Sequence, residues 1–132
     1  MEKVIFDANA MLALLYGEKN GIKVEEILNA YWKAGAELLI SAVNYGEMYY
    51  SIMRNFGKSR ADELKTVLAG IPMSIVPVYA KDAAEAAEIK AGKKMSYADC
   101  FAAGLAKRLK APLVTGDPEF REVEREIRVI WI

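Results

Sequence analysis

The chain reads as an α/β protein, a three-layer α/β/α sandwich around a mostly parallel sheet of about five strands. Short apolar runs of strand length recur at 4–6, 38–41, 75–78, 113–115 and 129–132. Between them lie longer segments whose apolar residues keep helical spacing, and such alternation is the pattern of βαβ units. Acidic residues stand where these strands give way to helices or just inside them: Asp7, Glu47, Asp99 and Asp117. In a parallel α/β sheet those positions converge outside the carboxyl ends of the strands.

Val4-Ile5-Phe6 is a buried strand, followed by a helix over 8–16 that is punctuated at Gly17. Asn20 is the expected N-cap of the next helix, whose apolar positions Val24, Ile27, Leu28 and Tyr31 lead to a stop at Gly35. Strand 38–41 then feeds a helix carrying Tyr45, Met48, Tyr49, Ile52 and Phe56 as an apolar stripe. Ser59 and Asp62 form the capping-box pattern ahead of Leu64, Val67 and Leu68, with Gly70 as the stop. A strand at 75–78, an alanine-rich helix at 82–91 closed by Gly92, and a helix from Ser96 to Leu109 follow. The chain ends with a strand at 113–115, a short helix opened by Pro118, and a strand at 129–132. Two crossovers contain helix pairs, so the strand order does not follow from the sequence.

At 132 residues the chain is expected to be one domain over 1–132. With 54% hydrophobic and 27% charged residues the balance is that of a soluble globular protein. The apolar stretch 8–16 is too short to span a bilayer and is flanked by Glu2 and Asp7, so a cytoplasmic protein without a membrane is expected. Cys100 is the single cysteine, which excludes an internal disulfide. The chain has no histidine, which excludes Ser-His-Asp and Cys-His nucleophile systems and helical HExxH zinc sites. Lys plus Arg equals Asp plus Glu at 18 each, so any nucleic-acid binding needs a local basic patch.

Each acid has a structural reading beside a functional one. Asp7 fits an N-cap, Asp99 the acidic end of a capping box opened by Ser96, and Asp117-Pro118 an N-cap and first-turn pair. Glu47, about one turn into its helix, suits the macrodipole. The readings are compatible, because a carboxylate has two oxygens. Together, however, four acids at one edge repel one another unless a cation lies between them. Without histidine the economical cation is hard and oxygen-loving, Mg²⁺ or Mn²⁺.

Four segments carry a resemblance: Asp7-Ala8-Asn9, Ser41-Ala42-Val43-Asn44-Tyr45-Gly46-Glu47, Ser96-Tyr97-Ala98-Asp99 and Thr115-Gly116-Asp117-Pro118-Glu119-Phe120. In this order, on this strand and helix pattern, they resemble the PIN-domain family across essentially the whole chain. The length and spacing are similar to those of VapC-type toxins of prokaryotic toxin–antitoxin pairs. The resemblance implies a Mg²⁺- or Mn²⁺-dependent ribonuclease that hydrolyses RNA to a 5′-phosphate and a 3′-hydroxyl. It implies metal-facing roles for Asp7, Asp99 and Asp117, with Glu47 acting on the metal directly or through water. Asn9, Ser41 and Thr115 match polar positions that support such a site. It further implies a homodimer and a cognate antitoxin whose helix packs in a groove and whose tail covers the acids.

Lys93 and Lys94 precede Ser96 and are the expected RNA phosphate contacts. Lys107, Arg108 and Lys110 read as helix C-terminal charges. The spacing of Tyr45 and Tyr49, like the positions of Trp32 and Trp131, favours packing over base stacking. Tyr45, Met48, Tyr49, Tyr50 and Met53 give one helix more apolar surface than a single core face needs, in keeping with a dimer. Two other classes fit less well. An aspartyl-phosphate phosphatase would want an aspartate where Asn9 stands, and a receiver domain an acidic pair beside Asp7. A non-catalytic RNA- or protein-binding scaffold of the same fold would not need all four acids.

Overall fold

A computed structural model describes residues 2–132. The elements in chain order are β1 (Lys3–Phe6), α1 (Ala8–Leu15), α2 (Gly21–Lys33), β2 (Glu37–Ser41), α3 (Ala42–Phe56), α4 (Lys58–Asp62), α5 (Leu64–Gly70), β3 (Met73–Val76), α6 (Ala80–Gly92), α7 (Tyr97–Leu109), β4 (Leu113–Thr115), a 3-10 helix (Pro118–Val123) and β5 (Val129–Trp131). The strands form one sheet in the order β3-β2-β1-β4-β5. Every pairing is parallel, so the expected sheet of about five strands is parallel throughout.

Helices cover both faces, which is why the strands are apolar on both sides. Val4, Phe6, Leu38, Ile40 and Val114 point into one core with Met11, Val24, Met48 and Leu68. Ile5, Leu39 and Leu113, alternate in the pleat, point into the other with Ala102, Leu105 and Phe120. β1 is the centre: the chain first builds outward to β2 and β3, then returns to lay β4 and β5 on its other side. A crevice therefore opens between the carboxyl ends of β1 and β4, the place where such sheets put their sites.

Three sequence expectations are corrected. The third strand lies at Met73–Val76 rather than 75–78, because Pro77 has no N–H for a ladder while Met73 and Ser74 align with Leu38 and Leu39. Ser59 does not open a capping box. Gly57, with φ of 94°, breaks the chain after α3, and the Asp62 carboxylate instead accepts from the Tyr49 hydroxyl at 2.6 Å and Lys58 Nζ at 2.8 Å. Asn20 precedes α2 but makes no side-chain cap.

The apolar stripe of α3 is mostly spent on the core. Met48 and Ile52 are buried and Tyr45, Tyr49 and Met53 pack against them, which leaves Tyr50 and Phe56 exposed. Tyr50 carries the Arg54 guanidinium 5.0 Å above its ring. Of the tryptophans, Trp131 is half-buried and donates to Glu124 at 2.9 Å, while Trp32 is exposed. Among the described residues no helix is long and apolar enough to cross a membrane.

Truncation separates the two sides of this architecture. Ile40→Ala, at a side chain wholly shielded from water, should cost about 2–5 kcal/mol of unfolding free energy. Ser74→Ala on the exposed side of β3 should stay within about 0.5 kcal/mol. Urea titrations of both variants check this, and equal costs would contradict the two-sided cover.

Candidate metal centre

Asp7 follows the last residue of β1 and caps α1 in extended conformation. Its Oδ1 accepts the Ala10 N–H at 2.8 Å and its Oδ2 accepts the Thr115 hydroxyl. The residue is only 1% exposed. Burial pushes its carboxyl up to about 7; the charges of Asp117 and Glu47 add to this, and the bonds from Thr115 and Ala10 oppose it. Capping and membership of an acidic site thus coexist in one side chain.

Thr115 ends β4, next to β1, and its hydroxyl works in both directions. It donates to Asp7 and accepts the Asp117 N–H at 3.0 Å. Asp117 caps the 3-10 helix by accepting the Glu119 N–H at 2.9 Å, with Pro118 at the first position. Asn9 fastens the intervening turn through its Oδ1, which accepts the Gly116 N–H at 2.8 Å. A Cβ on Gly116 would stand 2.9 Å from that oxygen, so glycine permits the close approach.

Asp99 is delivered from the other layer by α7, which starts at this edge and runs back to feed β4. Ser96 caps α7 by accepting the Asp99 N–H at 3.2 Å, and the Ser96 N–H donates to Glu119 at 2.8 Å. Asp99, Asp117 and Glu119 each bring a carboxylate oxygen within 4.8 Å of the others. Burial raises the Asp99 carboxyl well above its ordinary range. Hydrogen bonding to Glu119, the charge and hydrogen bonding of Asp117, and the charge of Asp7 add to the rise. Glu119 is held low by the Ser96 N–H and by its bond with Asp99.

Glu47 approaches from α3, whose first turn is capped by the Ser41 hydroxyl accepting the Val43 N–H at 3.2 Å. Burial raises its carboxyl, the Asn44 amide opposes this with a 2.8 Å bond, and Asp117 adds to the rise. The Asp117 charge is therefore felt by Asp7, Glu47 and Asp99 alike. Of the four acids singled out in the sequence, Asp99 and Asp117 join Glu119 in one close group, while Asp7 and Glu47 lie outside that group but near enough to feel the Asp117 charge.

The donor chemistry fits a hard divalent cation. All donors are oxygens, their mutual repulsion is what positive charge would relieve, and Asp99, Asp117 and Glu119 lie close enough to share one ion. The expected phosphate contacts are less uniform. The Lys93 ammonium pairs with Glu126 at 3.2 Å, a carboxylate that also takes Lys107. The Lys94 backbone donates to Glu122 at 3.0 Å, and its side chain is exposed without an ion pair among the described residues. Arg108 contacts Asp82 and Glu85 rather than merely ending its helix.

Two residues of the crevice escape a sequence reading. Glu119 looks like an ordinary first-turn acid, and although it falls in the segment 115–120 that carries the resemblance, nothing there marks it as part of the cluster. Asn44 is a buried polar residue one turn before Glu47, and nothing in the sequence marks it as buried.

The fold and site together define an α/β protein with a parallel sheet and an oxygen-only acidic cluster at its carboxyl edge. The chain belongs to the PIN-domain family, whose model it matches over residues 4–126. It is 30% identical to ribonuclease VapC30 of Mycobacterium tuberculosis over 128 residues, which span 92% of this chain and 95% of that one. The fold is similar to that of VapBC2 from Rickettsia felis bound to a DNA fragment from their promoter. That likeness has a TM-score of 0.76, at 17% identity and 98% coverage of both chains. A toxin–antitoxin complex from Klebsiella pneumoniae has a TM-score of 0.69, at 17% identity and 96% and 95% coverage.

The raised carboxyls fix the sign of a pH effect. Between its ordinary value near 3.8 and about 7, Asp7 holds a proton in the folded protein that the unfolded chain has lost. That contribution to stability is complete at low pH and disappears as pH rises through about 7; Asp99 acts in the same direction. In EDTA the melting temperature should therefore fall between pH 5 and pH 8. Asp7→Asn should flatten the profile and melt higher than wild type at pH 8, since Asn caps almost as well without the charge. Differential scanning calorimetry decides it, and parallel profiles for the two proteins would contradict a shared site.

Proposed function

We propose that this protein is a Mg²⁺- or Mn²⁺-dependent endoribonuclease, the toxin of a VapBC-type toxin–antitoxin pair acting in the cytoplasm. The observation that carries the reading is the convergence of Asp7, Glu47, Asp99 and Asp117 at the switch point of the sheet. The likeness to ribonuclease VapC30 over nearly the whole chain supports RNA as the substrate.

In this reading Asp7, Asp99 and Asp117 hold the cation, with Glu119 beside the latter two. When bound, the ion supplies charge against the phosphate and makes a neighbouring water more acidic. Thr115 keeps Asp7 and the Asp117 turn in fixed relation, and Asn9 and Ser41 hold the turn and helix that present Asp117 and Glu47. Glu47 orients the attacking water and accepts its proton, a task favoured by a carboxyl raised toward neutrality. Attack by water on phosphorus, with the P–O3′ bond breaking and the leaving 3′-oxygen taking up a proton, leaves a 5′-phosphate and a 3′-hydroxyl. Lys94, exposed beside the start of α7, takes an RNA phosphate; Lys93 joins it on leaving Glu126.

The partner is a cognate antitoxin, in keeping with the toxin–antitoxin complex among the structures of similar fold. Its helix suits the mostly apolar groove of about 270 Å³ that Tyr16, Ile52, Phe56 and Leu64 line together with the charged Arg60 and Glu63. The protein is also proposed to pair with itself, using apolar surface left on α3 such as Tyr50.

Purified protein should cut RNA with Mg²⁺ or Mn²⁺ and stop when EDTA is added; cleavage that persists in chelator would rule out the metal mechanism. Asp7→Asn, Asp99→Asn and Asp117→Asn should each lower the rate by about 100-fold or more. Asp62→Asn, at a carboxylate bonded to Tyr49 and Lys58, should cut like wild type. An active Asp99→Asn would return Asp99 to capping alone.

A further inference from the structure

We infer that Asn44 is a positioning residue for Glu47, locking the helix that carries Glu47 to the helix that carries Asp99. This rests on the nuclease reading of the site and adds a residue to it. Asn44 lies in the first turn of α3 and is completely buried. It is not the cap, since Ser41 fills that role. Its Nδ2 donates to Glu47 Oε1 at 2.8 Å and to the Ala98 carbonyl at 3.4 Å, immediately before Asp99. Both Nδ2 protons are thus engaged, one toward each side of the crevice.

The amide orientation is dictated by its partners. Turning it over would set Oδ1 against a carboxylate and a carbonyl, two acceptors with no proton between them. The cost of the orientation adopted falls on Oδ1, which is buried without a hydrogen-bond partner among the described residues. Buried polar atoms are nearly always paired, and an orphan lowers stability. An apolar residue of similar size would avoid that cost, while Ala98 would keep the bond its carbonyl receives within the helix. Folding alone therefore gives little reason for asparagine at this position. Holding one Glu47 oxygen still, so that the other faces the crevice, supplies that reason. Free rotation of a half-exposed glutamate would otherwise spread the proton acceptor over several rotamers.

The decisive variants are Asn44→Leu, which removes donor and orphan together, and Asn44→Asp, which keeps the shape but removes the amide donor. Both should lower kcat on RNA about 10- to 100-fold, the usual cost of losing a residue that orients a site ligand. For Asn44→Leu, KM, the Mn²⁺ dissociation constant by calorimetry and the melting temperature in EDTA should not worsen. In ¹⁵N-resolved NMR spectra, the Asn44 side-chain amide, identified by its loss in Asn44→Leu, should move upfield in Glu47→Ala.

Wild-type kcat in Asn44→Leu, or an unmoved amide in Glu47→Ala, would overturn the positioning role. So would a loss of activity accompanied by a lower melting temperature and weaker Mn²⁺ binding, because that is what a purely structural residue produces. A wild type that cuts no RNA with Mn²⁺ would overturn the nuclease reading itself, and that failure is visible before any variant is made.

Discussion

Asp7 has almost no contact with water, and its charge must share a crevice with those of Glu47, Asp99 and Asp117. Carboxylates brought this close and out of solvent raise one another's affinity for protons and oppose the compact state. The rest of the molecule can be understood as what holds them there. Two apolar cores clamp the sheet from both faces, and β1 and β4 are adjacent in register, Phe6 beside Val114. That adjacency puts Asp7 within reach of the Thr115 hydroxyl, which spans to the Asp117 backbone. One side chain thus joins the end of the first strand to the turn after the fourth, across 108 residues of sequence.

The two helical layers meet the crevice in different ways. On one side α3 brings Glu47 partly exposed, able to exchange protons with water. On the other α7 brings Asp99 beneath Glu119, with Ser96 shared between cap and clamp. The Asn44 amide bridges the layers by its bond to Ala98, and the Glu119 carboxylate fastens the 3-10 helix to the start of α7 through Ser96. Because the cores themselves are rigidly packed, small changes at these bridges alter the relative placement of the acids more readily than changes in the sheet.

The fold was legible because its signals are local. Runs such as Val4-Ile5-Phe6 and Leu113-Val114-Thr115 have the length and branching of buried strands, and Gly17, Gly35 and Gly57 all take positive φ where the chain turns. The four acids were legible because parallel topology fixes where strands end, even before strand order is known. What was missed depends on contacts between distant elements. Asp62 resembles a capping residue until α3 supplies Tyr49, and β3 slides toward Met73 because β2 offers partners there that Pro77 cannot use. Glu119 becomes part of the cluster only when α7 places Asp99 against it, and the burial of Asn44 follows from two helices meeting. Local pattern reveals elements and edges; pairwise chemistry across layers needs the assembled chain.

The capping and metal readings of the acids turn out to be one arrangement seen twice. Asp7 and Asp117 cap their helices, Asp99 lies in the first turn of α7, and Glu47 about one turn into α3. Asp7, Asp99 and Asp117 thus stand at helix N-termini, where backbone N–H groups point outward and the dipole favours negative charge, while Glu47 lies beyond the first turn of its helix. The attraction offsets part of the repulsion. The offset is incomplete, however, because the same burial that excludes water leaves Asp7 and Asp99 with raised affinity for protons. Protons and a divalent cation therefore compete for the same oxygens, and binding the cation must release protons. A site whose charge is only partly balanced by helix ends, and whose donors are all oxygens, is compatible with a small divalent cation.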